Sequence, residues 1–440
     1  MNRRLALQIV DCLGAPGPDA LGVWSRRDWT RTLPWLHASG LALPFLRILG
    51  AHGGESLPPS DVLERLERNQ ADNRERVACM AEEFAVLNRC FERSGIPFAA
   101  LKGITLIPDY SPDATLRAQA DFDYLIAPES LPRAEAALRA AGYLRRSCDE
   151  NAHVYFHSAR PLRIPVSEDE LYSAALPRRV ELHTALWEGG PESIHPTTLA
   201  TALDRVRLRE WRGLRFPALA PEDALAFQIL HALRHVFGFW CRLSLLLEVA
   251  HFLNGRKHDE EFWRRFIAHI ACTTGLPEAT GVVITLAVRV FGAEVPAPLA
   301  AWLRATTPPT MKLWVERYGR DSALGNFMED KFSLFLLREF IPDDAAWRTV
   351  CRRRILPLHR PNRAAEPRGP RVSSRVGASV KQSLHIARRV KFHVTSALRL
   401  GLEFPRWKWS RRAAGAPEES SAARTAEPIP AAASVPVGER

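Results

Sequence analysis

Three short apolar segments carry the residue types that can hold a divalent cation beside a phosphate. The first is Phe98-Ala99-Ala100-Leu101, which runs into Lys102-Gly103. The second is Asp121-Phe122-Asp123-Tyr124-Leu125-Ile126, preceded by Arg117. The third is Arg179-Val180-Glu181-Leu182-His183. Side chains alternate along a strand, so Asp121 and Asp123 share one face, roughly 6.5–7 Å apart along the chain. Such a pair can turn onto one cation, and magnesium is held by few carboxylates together with substrate phosphates. Glu181 can complete a three-carboxylate cluster. Two cations roughly 3.5–4 Å apart, shared by such a cluster, would position a nucleoside triphosphate and activate a hydroxyl for in-line attack.

The neighbouring residues have two readings each. Lys102 follows a buried strand and can neutralise phosphate charge as a compact cation; as a bland alternative it is a solvated turn residue. Gly103 offers a backbone amide to phosphate. Arg117 either grips phosphate or pairs with an acid in the loop. His183 lies two residues after Glu181 and so shares its face; it either orients a carboxylate or is a buried histidine bonded to backbone. His231 and His235 sit one helical turn apart, at metal-ligand spacing, but Ala232 follows His231 where a zinc protease has Glu. They read as polar residues at a packing face, or as phosphate contacts.

Taken together, Lys102-Gly103, Tyr110, Arg117 through Asp123 and Glu181-Leu182-His183 resemble the nucleotidyltransferase superfamily with the DNA polymerase β fold. The closest likeness is to its uncharacterised bacterial branch. It extends more weakly from about Trp35 to Pro357, with Pro221-Glu222-Asp223, His231, His235 and Arg242-Leu243 as helical markers. The resemblance implies transfer of a nucleoside monophosphate from an NTP to a hydroxyl-bearing acceptor. It assigns catalysis and Mg2+ binding to Asp121, Asp123 and Glu181, and nucleotide binding to Lys102, Gly103 and Arg117. The acceptor stays open: sugar, small molecule, peptide, protein or RNA. The other reading is a non-catalytic binding module, or an antitoxin-like partner, on the same fold. The chain departs from the pattern at Gly103-Ile104, where the superfamily has Gly-Ser or Gly-Gly, and at Leu247-Glu248, where Asp-Leu is common.

A chain of 440 residues can bury a sizeable core and holds more than one folded unit. No apolar run reaches the roughly 20 residues that span a bilayer. Gln8 and Asp11 interrupt the N-terminal stretch where a signal-peptide core would lie. The seven cysteines are dispersed and form no Cys-x-x-Cys pair, which argues against a zinc or disulfide framework. A cytoplasmic location follows as the expectation.

The expected fold class is α+β: a small mixed sheet flanked by N-terminal helices and a C-terminal helical bundle. Residues 1–95 read as a helical cap and 96–190 as the α+β core, with helices packed on one side of its sheet. Residues 191–357 read as a helical domain. From 358 to 440 come a basic linker, an amphipathic helix over 376–402 and a disordered tail, expected to be dispensable for the fold. Net charge is +11, with much of the excess after Arg348. Trp407 and Trp409 beside Lys408 and Arg406 read as interfacial anchors, suggesting peripheral contact with an anionic inner-membrane surface. A solvated tail is the plainer reading. Nucleic-acid binding is the weakest, because the arginines form no recognised module.

Overall fold

The computed structural model describes residues 3–14, 21–148, 152–159, 168–187, 190–238, 241–325, 330–355 and 372–415. It is an α+β fold around a seven-stranded mixed sheet. The strands are β1 (Phe98–Leu101), β2 (Asp121–Ile126), β3 (Tyr143–Cys148), β4 (Ala152–His157), β5 (Arg179–His183), β6 (Arg207–Trp211) and β7 (Leu214–Ala218). Their order is β3-β4-β5-β2-β1-β7-β6. β2 lies antiparallel to β1 and parallel to β5, so Leu101, Asp123 and Glu181 stand side by side across three strands.

Strand alternation sorts the sheet into two faces. Phe98, Phe122, Tyr124, Val180 and Leu182 face one way. They bury against Phe84, Leu87 and Phe91 of the helix Ser60–Arg93 and Leu138 of the helix Leu131–Ala140. On the other face, Ala99, Leu101 and Leu125 join the larger core built by the N-terminal helices and by helices such as Pro221–Phe237 and Leu243–Gly255. Helices therefore cover both faces, not one as expected. The reason is that β1 is apolar throughout and Tyr124, Leu125 and Ile126 of β2 are all buried, so neither side can be left to water.

The sheet also continues beyond residue 190. β6 and β7 form a hairpin through Arg212 and Gly213, both at positive φ (50° and 76°), as tight two-residue hairpins require. β7 pairs parallel to β1 through Ala100 and Ala218, and Phe216 enters the sheet core. The expectation that residues 191–350 are purely helical is corrected here. Leu208 is exposed, so the hairpin lacks a strong apolar alternation that would announce it.

Polar anchors fix the site-bearing loop. The helix Ser60–Arg93 buries Asn69, Asn73 and Arg76 among its apolar residues. Arg76 donates to the carbonyls of Gln119 (2.9 Å), Ser173 (2.8 Å) and Leu176 (3.0 Å). Burial lowers its guanidinium to about 10, so the charge is retained at neutral pH. Asn73 donates to the carbonyls of Thr115 (2.8 Å) and Arg117 (3.2 Å). One helix thus holds the approach to β2 and the approach to β5. On the other side of the sheet, Pro221 opens the helix Pro221–Phe237 with Glu222 and Asp223 in its first turn. Buried Asp223 accepts from Arg205 (2.7 and 3.0 Å) and pairs with His269 (2.8 Å), tying that helix to two neighbours.

A helix over Val372–Ala413 closes the described chain. Its Trp407 stacks on Phe335 with centroids 5.4 Å apart, Glu403 accepts from Arg317 (3.0 Å) and Tyr318 (2.9 Å), and Arg411 pairs with Glu339 (2.8 Å). Trp407 is therefore a core residue and not an interfacial anchor. The expectation that everything after about 358 is dispensable fails for this part of the helix. The basic linker over 357–371 and the tail from 416 lie outside the described residues.

A candidate metal and nucleotide site

The sheet brings Asp121, Asp123, Glu181, His183 and Lys102 together on one face. Asp123 is the centre, and it is 3 % exposed. Its Oδ1 accepts from Lys102 Nζ at 2.9 Å and from His183 Nε2 at 2.9 Å. Burial alone would raise its carboxyl, but the Lys102 ammonium and the His183 bond outweigh that and hold it far below the ordinary carboxylate range. Asp123 is thus ionised and accepts from both neighbours, which places the His183 proton on Nε2. His183 orients a carboxylate, as one of its two readings had it.

Glu181 is the opposite case. Burial pushes its carboxyl up, the charges of Asp123 and Asp121 push it further, and Arg179 and Lys102 offset this only in part. Arg179, read from the sequence only as part of a strand, spans the two outer acids. Its Nη2 donates to Asp121 Oδ2 at 2.9 Å, and its Nε forms an ion pair with Glu181 Oε1 at 2.5 Å. It sits two residues before Glu181, and that i, i+2 spacing was the available signal. The three acids therefore contact two permanent cations, Lys102 and Arg179, and still repel one another.

Ligand atoms of Asp123, Glu181 and His183 all lie within 4.8 Å of one another. The carboxylates of Asp123 and Glu181 suit a divalent cation, with His183 bonded to Asp123 beside them, and a cation would relieve the repulsion that raises Glu181. Asp121 stands outside this trio, engaged by Arg179.

Lys102 has an unusual backbone. Its φ is 51° and its ψ −159°, a region that side-chain-bearing residues rarely occupy. The next residue, Gly103, has φ 52°, and a Cβ there would meet the Gln119 side chain at 2.1 Å. Gln119 in turn donates to the Asp121 carbonyl at 2.7 Å. The Lys-Gly turn thus folds tightly against the start of β2. The fold holds lysine where glycine would be easier, and the reward is the contact with Asp123.

Beyond Lys102 a narrow cleft of about 40 Å³ opens, lined by His183, Trp187, Phe227, His231 and Arg234 among others. Lys102 Nζ lies 5.8 Å from the Phe227 ring centroid. The His231 and His235 rings are 5.0 Å apart. Burial, then the charges of Lys102 and His235, keeps His231 well below its usual value, so it is neutral at physiological pH. Its position on the cleft was legible only as a spacing.

Arg117 lies apart from the cluster's hydrogen bonds. Its Nε donates to Glu248 Oε1 at 2.8 Å; Glu248 is buried and Arg117 partly so. Its partner is an acid, though on the helix Leu243–Gly255 and not in the loop. Glu248, the departure from the common Asp-Leu, is that acid.

The Lys102 geometry generates a test. Lys102→Ala should cost about 3 kcal/mol, because it strands the Asp123 carboxylate with one partner fewer. Lys102→Gly should be about 1 kcal/mol more stable than Lys102→Ala, reversing the usual order, because glycine relieves the backbone. Urea unfolding of the three proteins reads the difference. An alanine variant as stable as the glycine variant, or more so, contradicts the strained turn.

No curated protein and no solved structure shows a significant match to the chain. Residues 25–292, which hold every residue of the cluster, match the family described as uncharacterised nucleotidyltransferase. With more than half of its length matched, the chain belongs to that nucleotidyltransferase family.

Proposed function

We propose that the chain is a metal-dependent nucleotidyltransferase that moves a nucleoside monophosphate from an NTP to a hydroxyl-bearing acceptor. The observation that carries this reading is the convergence of Asp123, Glu181 and His183 within 4.8 Å, beside Asp121 and Lys102. Asp121, Asp123 and Glu181 are the residues assigned to Mg2+, with His183 steadying Asp123. When bound, the cation would draw charge from the triphosphate and lower the pKa of a hydroxyl.

The chain's own residues then have separable tasks. Asp123 stays ionised across the physiological range. Glu181 serves as a ligand to the cation or as the base that takes the acceptor's proton. The acceptor oxygen bonds to the α-phosphorus as the bond to the bridging oxygen breaks, and pyrophosphate leaves. Lys102 and Arg179, now paired with the carboxylates, are the cations that can turn to phosphate when the acids take metal. Gly103 leaves its amide close to the same turn. Arg117 holds Glu248 and shapes the loop before β2.

Incubation with α-labelled ATP, CTP, GTP or UTP, magnesium and cell extract tests this reading. Transfer of label from at least one nucleotide is expected. Asp123→Asn and Glu181→Gln should lower it by on the order of 10³-fold, with circular dichroism confirming that both variants are folded. Silence with all four nucleotides overturns catalysis and leaves a non-catalytic binding module.

A second reading concerns partners. The helix Val372–Ala413 buries Ser396, Leu400 and Trp407 on the body, yet exposes Val380, Leu384, Val394, Leu398, Leu402 and Trp409. At 3.6 residues per turn these exposed residues form one stripe opposite the buried side. Glu403 is the helix's only acid among many Lys and Arg residues. An apolar stripe with basic flanks suits the surface of an anionic membrane. No helix among the described residues is long and apolar enough to cross a membrane. Full-length protein should co-sediment with phosphatidylserine vesicles at low salt, and replacing Leu398 and Leu402 by Ser should release it. Equal sedimentation with neutral phosphatidylcholine vesicles, or none with either, removes this reading.

A further inference from the structure

The backbone between the turn Ala114–Leu116 and β2 belongs to no strand or helix, so its carbonyls need donors from elsewhere. Three in succession take side-chain donors. The Arg117 carbonyl accepts from Asn73 at 3.2 Å, that of Ala118 from Arg242 Nη2 at 3.1 Å, and that of Gln119 from Arg76 at 2.9 Å. Asn73 and Arg76 come from the helix Ser60–Arg93, but Arg242 stands at the start of the helix Leu243–Gly255. The middle carbonyl is thus held from a second helix, the one whose Glu248 takes the Arg117 side chain.

Among the described residues, the Ala118 carbonyl is the one hydrogen-bond partner of the Arg242 side chain. Gly40, at φ 75° after the helix Arg26–Ser39, leaves the guanidinium its room: a Cβ there would come within 2.9 Å of Arg242 Nε. Glu248 is the only acid of the helix Leu243–Gly255, and it pairs with Arg117 and not with Arg242. Burial, then the neighbouring Arg117 charge, lowers the Arg242 guanidinium from its ordinary value. An arginine here gains no ion pair among the described residues and bears the repulsion of a second guanidinium. What it gains is the Ala118 carbonyl.

Displacement at Ala118 reaches the carboxylate cluster by two routes. Asp121 follows three residues later on the same backbone. Gln119, the next residue, donates to the Asp121 carbonyl at 2.7 Å, and its side chain lies against Gly103. We propose that Arg242 is a positioning residue of the candidate site, a role that rests on the metal-dependent reading. By holding the Ala118 carbonyl it keeps the entry of β2, and with it Asp121 and the Lys102-Gly103 turn, in place for the cation.

Two measurements on the full chain test this role. Hydrogen–deuterium exchange without metal reads the clamp: Arg242→Ala should speed exchange over 117–123 by about 10-fold and leave the helix Ala297–Thr306 as in the native chain. Titration with Mn2+, followed by electron paramagnetic resonance, reads the consequence: Arg242→Ala should bind about 10-fold more weakly than the native chain. Arg242→Lys should recover part of both losses, because an ammonium can donate to a single carbonyl; if alanine unfolds the chain, lysine reads the same two effects at smaller size. Leu303→Ala opens a hole beneath the helix Ala297–Thr306 and should lower stability while binding Mn2+ as the native chain does. Native exchange over 117–123 in both Arg242 variants, or native Mn2+ affinity in both, overturns the proposal. A loss that Leu303→Ala reproduces overturns it as well, since instability alone would then explain the effect. A native chain that takes up no Mn2+ fails the metal reading instead, and exchange then decides the clamp by itself.

Discussion

A carboxylate taken out of water survives as an ion only if opposite charge and hydrogen bonds replace the lost solvent. Asp123 is that carboxylate here, and much of the local structure follows from it. Lys102 must reach it from the end of β1, and the chain accepts a positive φ to bring it there. His183 must reach it from the end of β5, so β5 pairs with β2 in the register that sets Glu181 beside Asp123. That same register crowds the acids and raises Glu181. Compensation at the centre therefore leaves carboxylates repelling one another at the edge, a repulsion that a divalent cation would relieve.

The surroundings make this arrangement stiff. The helix Ser60–Arg93 holds three carbonyls through Arg76 and two through Asn73, so the segments entering β2 and β5 share one support. The other face of the sheet is closed by helices that carry Phe227 and His231 toward the cleft. Apolar packing on both faces leaves the polar residues at one end of three adjacent strands. This separation of a dry scaffold from a charged strand end lets carboxylates approach each other without unravelling the sheet.

Much of this site was readable before any coordinates. Alternation in Asp121-Phe122-Asp123 and in Glu181-Leu182-His183 specifies which side chains share a face, and the structure sorts them that way. What alternation cannot specify is which strands are neighbours. The Lys102–Asp123 contact depends on β1 lying antiparallel to β2, and the Arg179 bridge depends on β2 lying parallel to β5. The Arg117–Glu248 pair joins residues far apart in sequence, so the acid that engages Arg117 could not be named from the sequence, which assigned Arg117 to nucleotide. The β6–β7 hairpin went unread because Arg207–Trp211 is mostly polar and exposed. Trp407 misled for a different reason: tryptophan among basic residues is the pattern of an interfacial anchor, and only the aromatic rings of Tyr318 and Phe335 reveal it as core.

The central claim is that the acidic cluster binds a divalent cation. Titration of Mn2+, a paramagnetic stand-in for magnesium at oxygen-rich sites, followed by electron paramagnetic resonance, measures it without knowledge of any acceptor. The native chain should deplete the signal of free Mn2+ saturably, and Asp123→Asn, folded by circular dichroism, should lose that depletion. Identical titrations of the two proteins would contradict the account.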